Sequence, residues 1–174
     1  MSDDSLSAAI AEAYASAPVD VVILHTLEFR HPAFTAPLRV VLGYDNLTAV
    51  LEAGAPVNPS ESVEFVAYAF DTKLPDVASG RMPEMEINID NIDEVIEEQI
   101  ELAAGSAEKI EVTYRPYLST DLSAPHMDPP LTLTLTSVQA TTFQVQARAG
   151  FRNLGNIGFP NQDYTAERFP GLVR

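Results

Sequence analysis

The chain has 174 residues, of which 46% are apolar, enough to bury one core and short for two. It has no Cys, which excludes a disulfide framework and thiolate metal sites and makes an intracellular folding environment the expectation. Ten Lys plus Arg against 25 Asp plus Glu leave a formal charge of -15, so the average surface repels phosphate and tight nucleic-acid binding is not expected.

The start, Met1-Ser2-Asp3-Asp4, is acidic where a secretory signal has a basic region. No apolar run approaches the roughly 20 residues of a membrane-spanning helix, so a soluble, unprocessed chain without membrane insertion is expected. Leu6, Ala9, Ile10, Ala13 and Tyr14 then fall at helical spacing, with Ser and Asp before them for capping and Pro18 after them as a stop. From Val19 to Arg30 the period changes to two. Val21, Ile23, His25, Leu27 and Phe29 lie on one side, and Val22, Leu24, Thr26, Glu28 and Arg30 on the other. This predicts a long strand with one strongly apolar face. Beyond His31-Pro32, Leu38, Val40, Leu42 and Tyr44 alternate again, and Asp45-Asn46 marks a turn into a short strand over Leu47 to Leu51.

Gly54 to Ser62, with Pro56 and Pro59, reads as a loop. Val63 to Phe70 is apolar on both faces apart from Glu64, as in a central or sandwiched strand. Pro75, Gly80 and Pro83 mark a second loop, expected to project from the body. Met85, Ile87 and Ile89 alternate with Glu84, Glu86, Asn88 and Asp90, the clearest half-buried strand in the chain. Asn91 and Glu94 then form a capping box. Ile92, Val95, Ile96, Ile100 and Ala103 make an apolar stripe that Gly105 ends, giving a helix over about 91–104. Ile110, Val112 and Tyr114 face one way in the next strand, and Pro116 to Pro130 reads as a long loop. Leu131, Leu133 and Leu135 alternate with Thr132, Thr134 and Thr136, and Thr142 to Ala149, with Phe143 and Val145 inward, pairs with them as a hairpin across Gln139-Ala140-Thr141.

Gly150 to Arg174 has no period, yet it holds Phe151, Leu154, Ile157, Phe159, Tyr164, Phe169 and Leu172, more aromatic and aliphatic content than a disordered tail would have. An extended arm lying against its own body or a neighbouring subunit is expected, with those seven residues as inter-subunit contacts. The whole reads as a single domain over 1–174: an N-terminal helix over 1–18, a β-rich core over 19–149 and the arm over 150–174. Its expected class is mainly β, a β-sandwich or split barrel with one or two short flanking helices.

Motifs of chemistry are sparse. The eight glycines form neither GxxxxGK nor GxGxxG, and no GxSxG elbow occurs, so no nucleotide cradle and no nucleophile site is read. His25 is in phase with an apolar strand face and reads as a paired core or interface histidine. His31, before Pro32, reads as a turn residue. His126 and Asp128 offer two metal ligands in a loop stiffened by Pro125, Pro129 and Pro130, too few to specify a site. Asn88, Asp90, Asn91 and Asp93 lack the glycine and the distal glutamate of a calcium loop. Asp93, Glu94, Glu97, Glu98 and Glu101 make an acidic helix face with no Lys or Arg in the helix, a solvated face, an acidic lining or a docking patch for a basic partner. No catalytic residue, cofactor or metal is assigned, and a non-enzymatic structural subunit is the expectation.

The blocks AIAEAYASAP, VILHTLEFRHP, EFVAYAFDTKLP, EINIDN, EVTYRPYLSTDLSAPHMDPPLTLTLT and YTAERFPGL occur in that order from Ala8 onward. Together they resemble a phage family known only as a domain of unknown function, whose members look like minor tail proteins of long-tailed, non-contractile bacteriophages. The resemblance implies a tail-tip component similar to distal tail proteins, with a fold like the tail tube. It implies a homo-oligomeric ring of six or three copies, neighbouring tail-tube, tape-measure and hub proteins, and DNA passing without specific binding. It places the protein in the virion tail, assembled in the host bacterial cytoplasm. A threefold baseplate-hub component is the alternative within that class. A cell-wall hydrolase module using carboxylates and His126 is the alternative outside it, and a metal-stabilised hub module is a third.

Overall fold

The computed structural model describes residues 21–75, 84–90, 94–141 and 144–151, together with residues 8, 10, 12 and 15 of a helical N-terminal segment. Nine strands follow in chain order: β1 (Ile23–Arg30), β2 (Leu38–Leu42), β3 (Leu47–Val50), β4 (Ser62–Tyr68), β5 (Phe70–Lys73), β6 (Glu84–Asp90), β7 (Glu111–Leu118), β8 (Leu131–Ala140) and β9 (Gln144–Gly150). The helix α1 (Glu94–Ala104) lies between β6 and β7 in the chain. The strands form one sheet in the order β3-β4-β2-β1-β7-β8-β9-β6-β5. Its pairs are antiparallel except for β2 with β4, so the chain is mainly β with a mixed sheet.

The ends of this sheet meet through a single residue. Val63 to Phe70, expected as one sandwiched strand, is two strands broken at Ala69. β4 pairs with β2 and β3 at one end of the order, and β5 pairs with β6 at the other. The Ala69 carbonyl accepts a hydrogen bond from the Asp90 amide at 2.9 Å, which holds the corner against the end of β6. A strand that changes layers at a bend makes the corner of a rolled sheet. The roll brings Phe29 of β1 and Ile87 and Ile89 of β6, which have three strands between them in the order, onto the wall of one small apolar cavity. In β4 Val63, Phe65 and the partly buried Ala67 face the second core, while Glu64 and Val66 are exposed, so that strand is interior in its pairing but open on one face.

β1 and β7 are the centre of the molecule. Leu27, Phe29, Val112 and Tyr114 join the larger apolar core, with Met85, Ile87 and Ile89 of β6 and Ile96 of α1. The opposite face was expected to be the weaker one in β1, yet Thr26 and Glu28 are 0% exposed there. A second core of Val41, Phe65 and Tyr117, roofed by Leu51 and Ala55, covers that face. Ile10 of the N-terminal segment is fully buried and shares a third, smaller cluster with Leu118. β1 starts at Ile23 rather than Val19, though Val22 and Ser119 still exchange hydrogen bonds of 2.9 and 3.0 Å just beyond its end.

The expected loop from Pro116 gives up its first three residues to β7, which continues opposite β1 as far as Leu118. Pro116 has no N–H, and its neighbour β8 pairs no further than Tyr114. On that flank the Pro116 carbonyl accepts from the His126 amide at 2.9 Å. The N–H and C=O of one strand residue point the same way, so the missing donor lies where no ladder needs it. In β8 a bulge between Leu135 and Ser137 changes the alternation. Leu133 and Leu135 face inward, and past the bulge Val138 pairs with inward-facing Ala147. The hairpin to β9 is as expected, but β8 runs on through Ala140 and the turn is closed by Thr141, whose amide donates to Gln144 O at 2.8 Å. Phe143 lies outside the described residues, as do Gly80 and Pro83 of the expected second loop.

Candidate functional site

The densest chemistry lies on the second face of β1, β2 and β7, and register explains it. Glu28 is directly opposite Arg39 across β1–β2, and Arg30 is directly opposite Glu111 across β1–β7. Arg115, opposite Thr26, is the diagonal neighbour of Glu28 on the same face. Arg39 Nε donates to Glu28 Oε2 at 2.7 Å, while Arg115 Nη1 and Arg30 Nε stand 3.3 and 3.6 Å from Glu28 Oε1. Arg30 Nη2 donates to Glu111 at 3.0 Å. Three guanidinium groups thus surround one carboxylate that has no solvent exposure.

The remaining charges come from the segment that roofs this face. Glu52 receives two parallel hydrogen bonds from Arg115, Nε at 2.7 Å and Nη2 at 2.8 Å, a bidentate pair. Asn58 accepts from Arg39 at 2.9 Å and donates to Glu61 at 2.6 Å. Asn58 and Ser60 have φ of 58° and 57°, a left-handed backbone that costs a side-chain-bearing residue on the order of 1 kcal/mol. The Glu52 carbonyl accepts from the Ala55 and Ser60 amides and Tyr117 Oη donates to the Val50 carbonyl, so both the tight turn and its start are anchored. The cluster is therefore a clamp that pins residues 51–61 to the central strands.

Its electrostatics suit a clamp. Burial raises the Glu52 carboxyl, but the hydrogen bonds and charge of Arg115 outweigh that and hold it below its ordinary range. Burial lowers Arg115, and its bonds to Glu52 together with the charges of Glu28 and Glu52 leave it above its ordinary value. Burial also drives the Tyr117 hydroxyl well upward. Groups shifted away from neutrality in these directions exchange no protons near pH 7.

The three histidines take separate places. His25 is partly buried and paired, outside the core clusters: its Nδ1 lies 2.8 Å from Tyr114 Oη, with the two rings stacked 5.9 Å apart. His31 is the buried turn residue at the end of β1: Nδ1 accepts from the Ala33 amide at 3.1 Å, and Nε2 donates to the Glu108 carbonyl at 3.2 Å. His126 Nε2 lies 3.7 Å from Asp121. Asp121 accepts from the Ser123 amide and hydroxyl, which pull its carboxyl below the ordinary range. Among the described residues no three His, Asp or Glu side chains gather where a metal could bind.

Of the acidic face, Glu98 and Glu101 are exposed, while Asp93 and the side chains of Glu94 and Glu97 lie outside the described residues. Of the arm, Phe151 is 48% exposed at the end of β9, and Leu154, Ile157, Phe159, Tyr164, Phe169 and Leu172 lie outside the described residues. Open grooves mark the surface. One of about 410 Å³ runs between the 31–37 turn, Val57 and Glu108–Glu111, and a polar one of about 330 Å³ lies over Glu86, Asn88, Gln146 and Arg148. A third, of about 480 Å³, has an apolar floor between α1 and the end of β8. Among the described residues no helix is long and apolar enough to cross a membrane.

The clamp is absent from the motif reading, although its signal was present. Glu28 and Arg115 carry opposite charge in phase with Leu24 and Tyr117, on strands rich in bulky apolar residues. No curated protein matches the chain. A family model matches residues 9–164, and the chain belongs to that family, a domain of unknown function (DUF1833).

Proposed function

We propose that this protein is a structural subunit of a phage tail tip, forming a ring or adaptor between the tail tube and the tip hub. The observation that carries this reading is the launch point of the arm. β9 is held on both sides, by β8 and by β6, and ends at Gly150 with Phe151 half exposed. An aromatic-rich segment leaving a strand locked in mid-sheet is built to transmit force to whatever it grips. The rolled sheet supports the same reading, as does the block order that resembles minor tail proteins.

The polar groove over β6, β8 and β9 is the proposed wall of the bore. Glu84, Glu86 and Asp90 outnumber Arg148 across β6 and β9, and a surface of that balance disfavours retention of passing DNA. Six copies would make a distal ring and three a hub.

Removal of residues 152–174, which leaves β9 intact, tests the reading. The expected result is a protein with an unchanged β-type circular dichroism spectrum that no longer enters tails. Normal incorporation of the shortened protein into full-length, infectious tails would overturn it.

A further inference from the structure

The two ends of the sheet differ in what lies beyond them. At β3 the outer backbone groups of Val50 are taken: its amide donates to the Leu122 carbonyl at 2.9 Å, and its carbonyl accepts from Tyr117 Oη at 2.9 Å. At the other end β5 pairs with β6, and no described strand lies on its outer side. An open edge of that kind is a template for one more strand.

The register of β5 on β6 shows which groups face outward. Ala69 stands opposite Asp90, one position before the Phe70–Ile89 pair, and its carbonyl accepts from the Asp90 amide. Hydrogen-bonded and non-hydrogen-bonded pairs alternate along an antiparallel ladder. Asp71, opposite Asn88, is therefore the next residue bonded to β6, and the N–H and C=O of Phe70 and Thr72 point away from it. Side chains alternate as well. Phe70 is buried and Thr72 half-buried on the core side, and Leu74, next in phase, is a large apolar group left 42% exposed. Asp71 and Lys73 are exposed on the outer side, where Lys73 Nζ lies 3.6 Å from Glu86.

We propose that β5 pairs with β5 of a second copy, antiparallel, about a two-fold axis at Thr72. Edge charges of one sign repel copies of the same chain. Here they alternate in sign, and centring on Thr72 sets the Asp71 of each copy directly opposite the Lys73 of the other. In that register the two Thr72 residues exchange hydrogen bonds, because theirs are outward-pointing groups, and each exposed Leu74 comes opposite the other copy's Phe70 on the core side. Centring on Asp71 or on Lys73 instead sets like charges opposite each other and brings together backbone groups that point toward β6. The surface is thus complementary to itself in one register. A two-fold contact closes on two copies, so this dimer goes beyond the proposed ring and stands or falls apart from it.

The absence of cysteine allows a direct test in the full-length protein. Asp71→Cys and Lys73→Cys variants are oxidised separately and as a mixture. In the proposed register positions 71 and 73 of the two copies have Cα atoms about 4.5 Å apart, within disulfide reach, while 71 and 71, or 73 and 73, lie on diagonals of about 7–8 Å. The expected result is a mixed covalent dimer forming about tenfold faster than either variant cross-links alone. Adding Thr72→Pro to both variants should abolish that advantage with an unchanged circular dichroism spectrum, since it deletes an outward N–H and leaves the ladder to β6 in place. Without cysteines, Asp71→Lys and Lys73→Asp proteins should each sediment as monomers at concentrations where the parent dimerises, and as a dimer when mixed. Equal rates for mixed and separate variants, indifference to Thr72→Pro, or a parent that sediments as a monomer at every concentration would overturn the proposal. None of these readouts involves tail entry, so the outcome leaves the tail assignment to its own test.

Discussion

The two faces of β1 and β7 are built from the same strands and stabilised by different physics. One face packs Leu27, Phe29, Val112 and Tyr114 into a continuous apolar core, and the other buries Glu28 and Arg115 with 0% exposure each. Apolar contacts are many and individually small, so loss of one leaves most of the face intact. The charged face depends on completeness. Each ion there is stable only while its partners neutralise it, because desolvation costs several kcal/mol per ion in the interior. The clamp thus links residues 51–61 to the sheet in a nearly all-or-none way, which an apolar roof alone would not do.

The largest test of this contrast removes the centre of the clamp. Glu28→Gln leaves Arg39, Arg115 and Arg30 around a neutral group, and the expected loss is about 3–5 kcal/mol of unfolding free energy. Urea titration of the variant checks it; a loss below about 1 kcal/mol would mean the arginines find water and the face is not sealed. A smaller effect is expected from Tyr117→Phe, which keeps the ring in the second core but deletes its 2.9 Å bond to the Val50 carbonyl. The expected cost is about 1 kcal/mol, seen as a shifted urea midpoint with an unchanged slope.

The smallest effects separate the faces by pH. Burial lowers His25 from its ordinary 6.5, so the folded protein keeps it neutral while the unfolded chain takes up a proton. Its contribution is therefore full above pH 6.5 and is lost as pH falls from 6.5 through the folded value. Glu52 lies below its ordinary 4.5 in the folded state. Its contribution is full above pH 4.5 and is lost as pH falls through the folded value. Urea midpoints measured across pH should decline in two stages, the apolar face first and the clamp second. His25→Phe should remove only the upper stage, and a single stage in the parent protein would break the comparison.

The sequence by itself determined the elements that rest on local alternation. Met85, Ile87 and Ile89 of β6, the β8–β9 hairpin and the apolar stripe through Ile96 to Ala103 were legible because each is set by side chains two to four positions apart. Tertiary structure alone decided that Val63 to Phe70 divides at Ala69 to join opposite ends of the sheet, that Pro116 lies within a strand, and that the second face of β1 is sealed. The physical reason is separation along the chain. Arg115 and Glu52 are 63 residues apart, and Glu28 depends on Arg39 of one neighbouring strand and Arg115 of the other. Periodicity reports which side of a strand is apolar; only the register of three strands shows that opposite charges meet on the other side and that a loop closes over them.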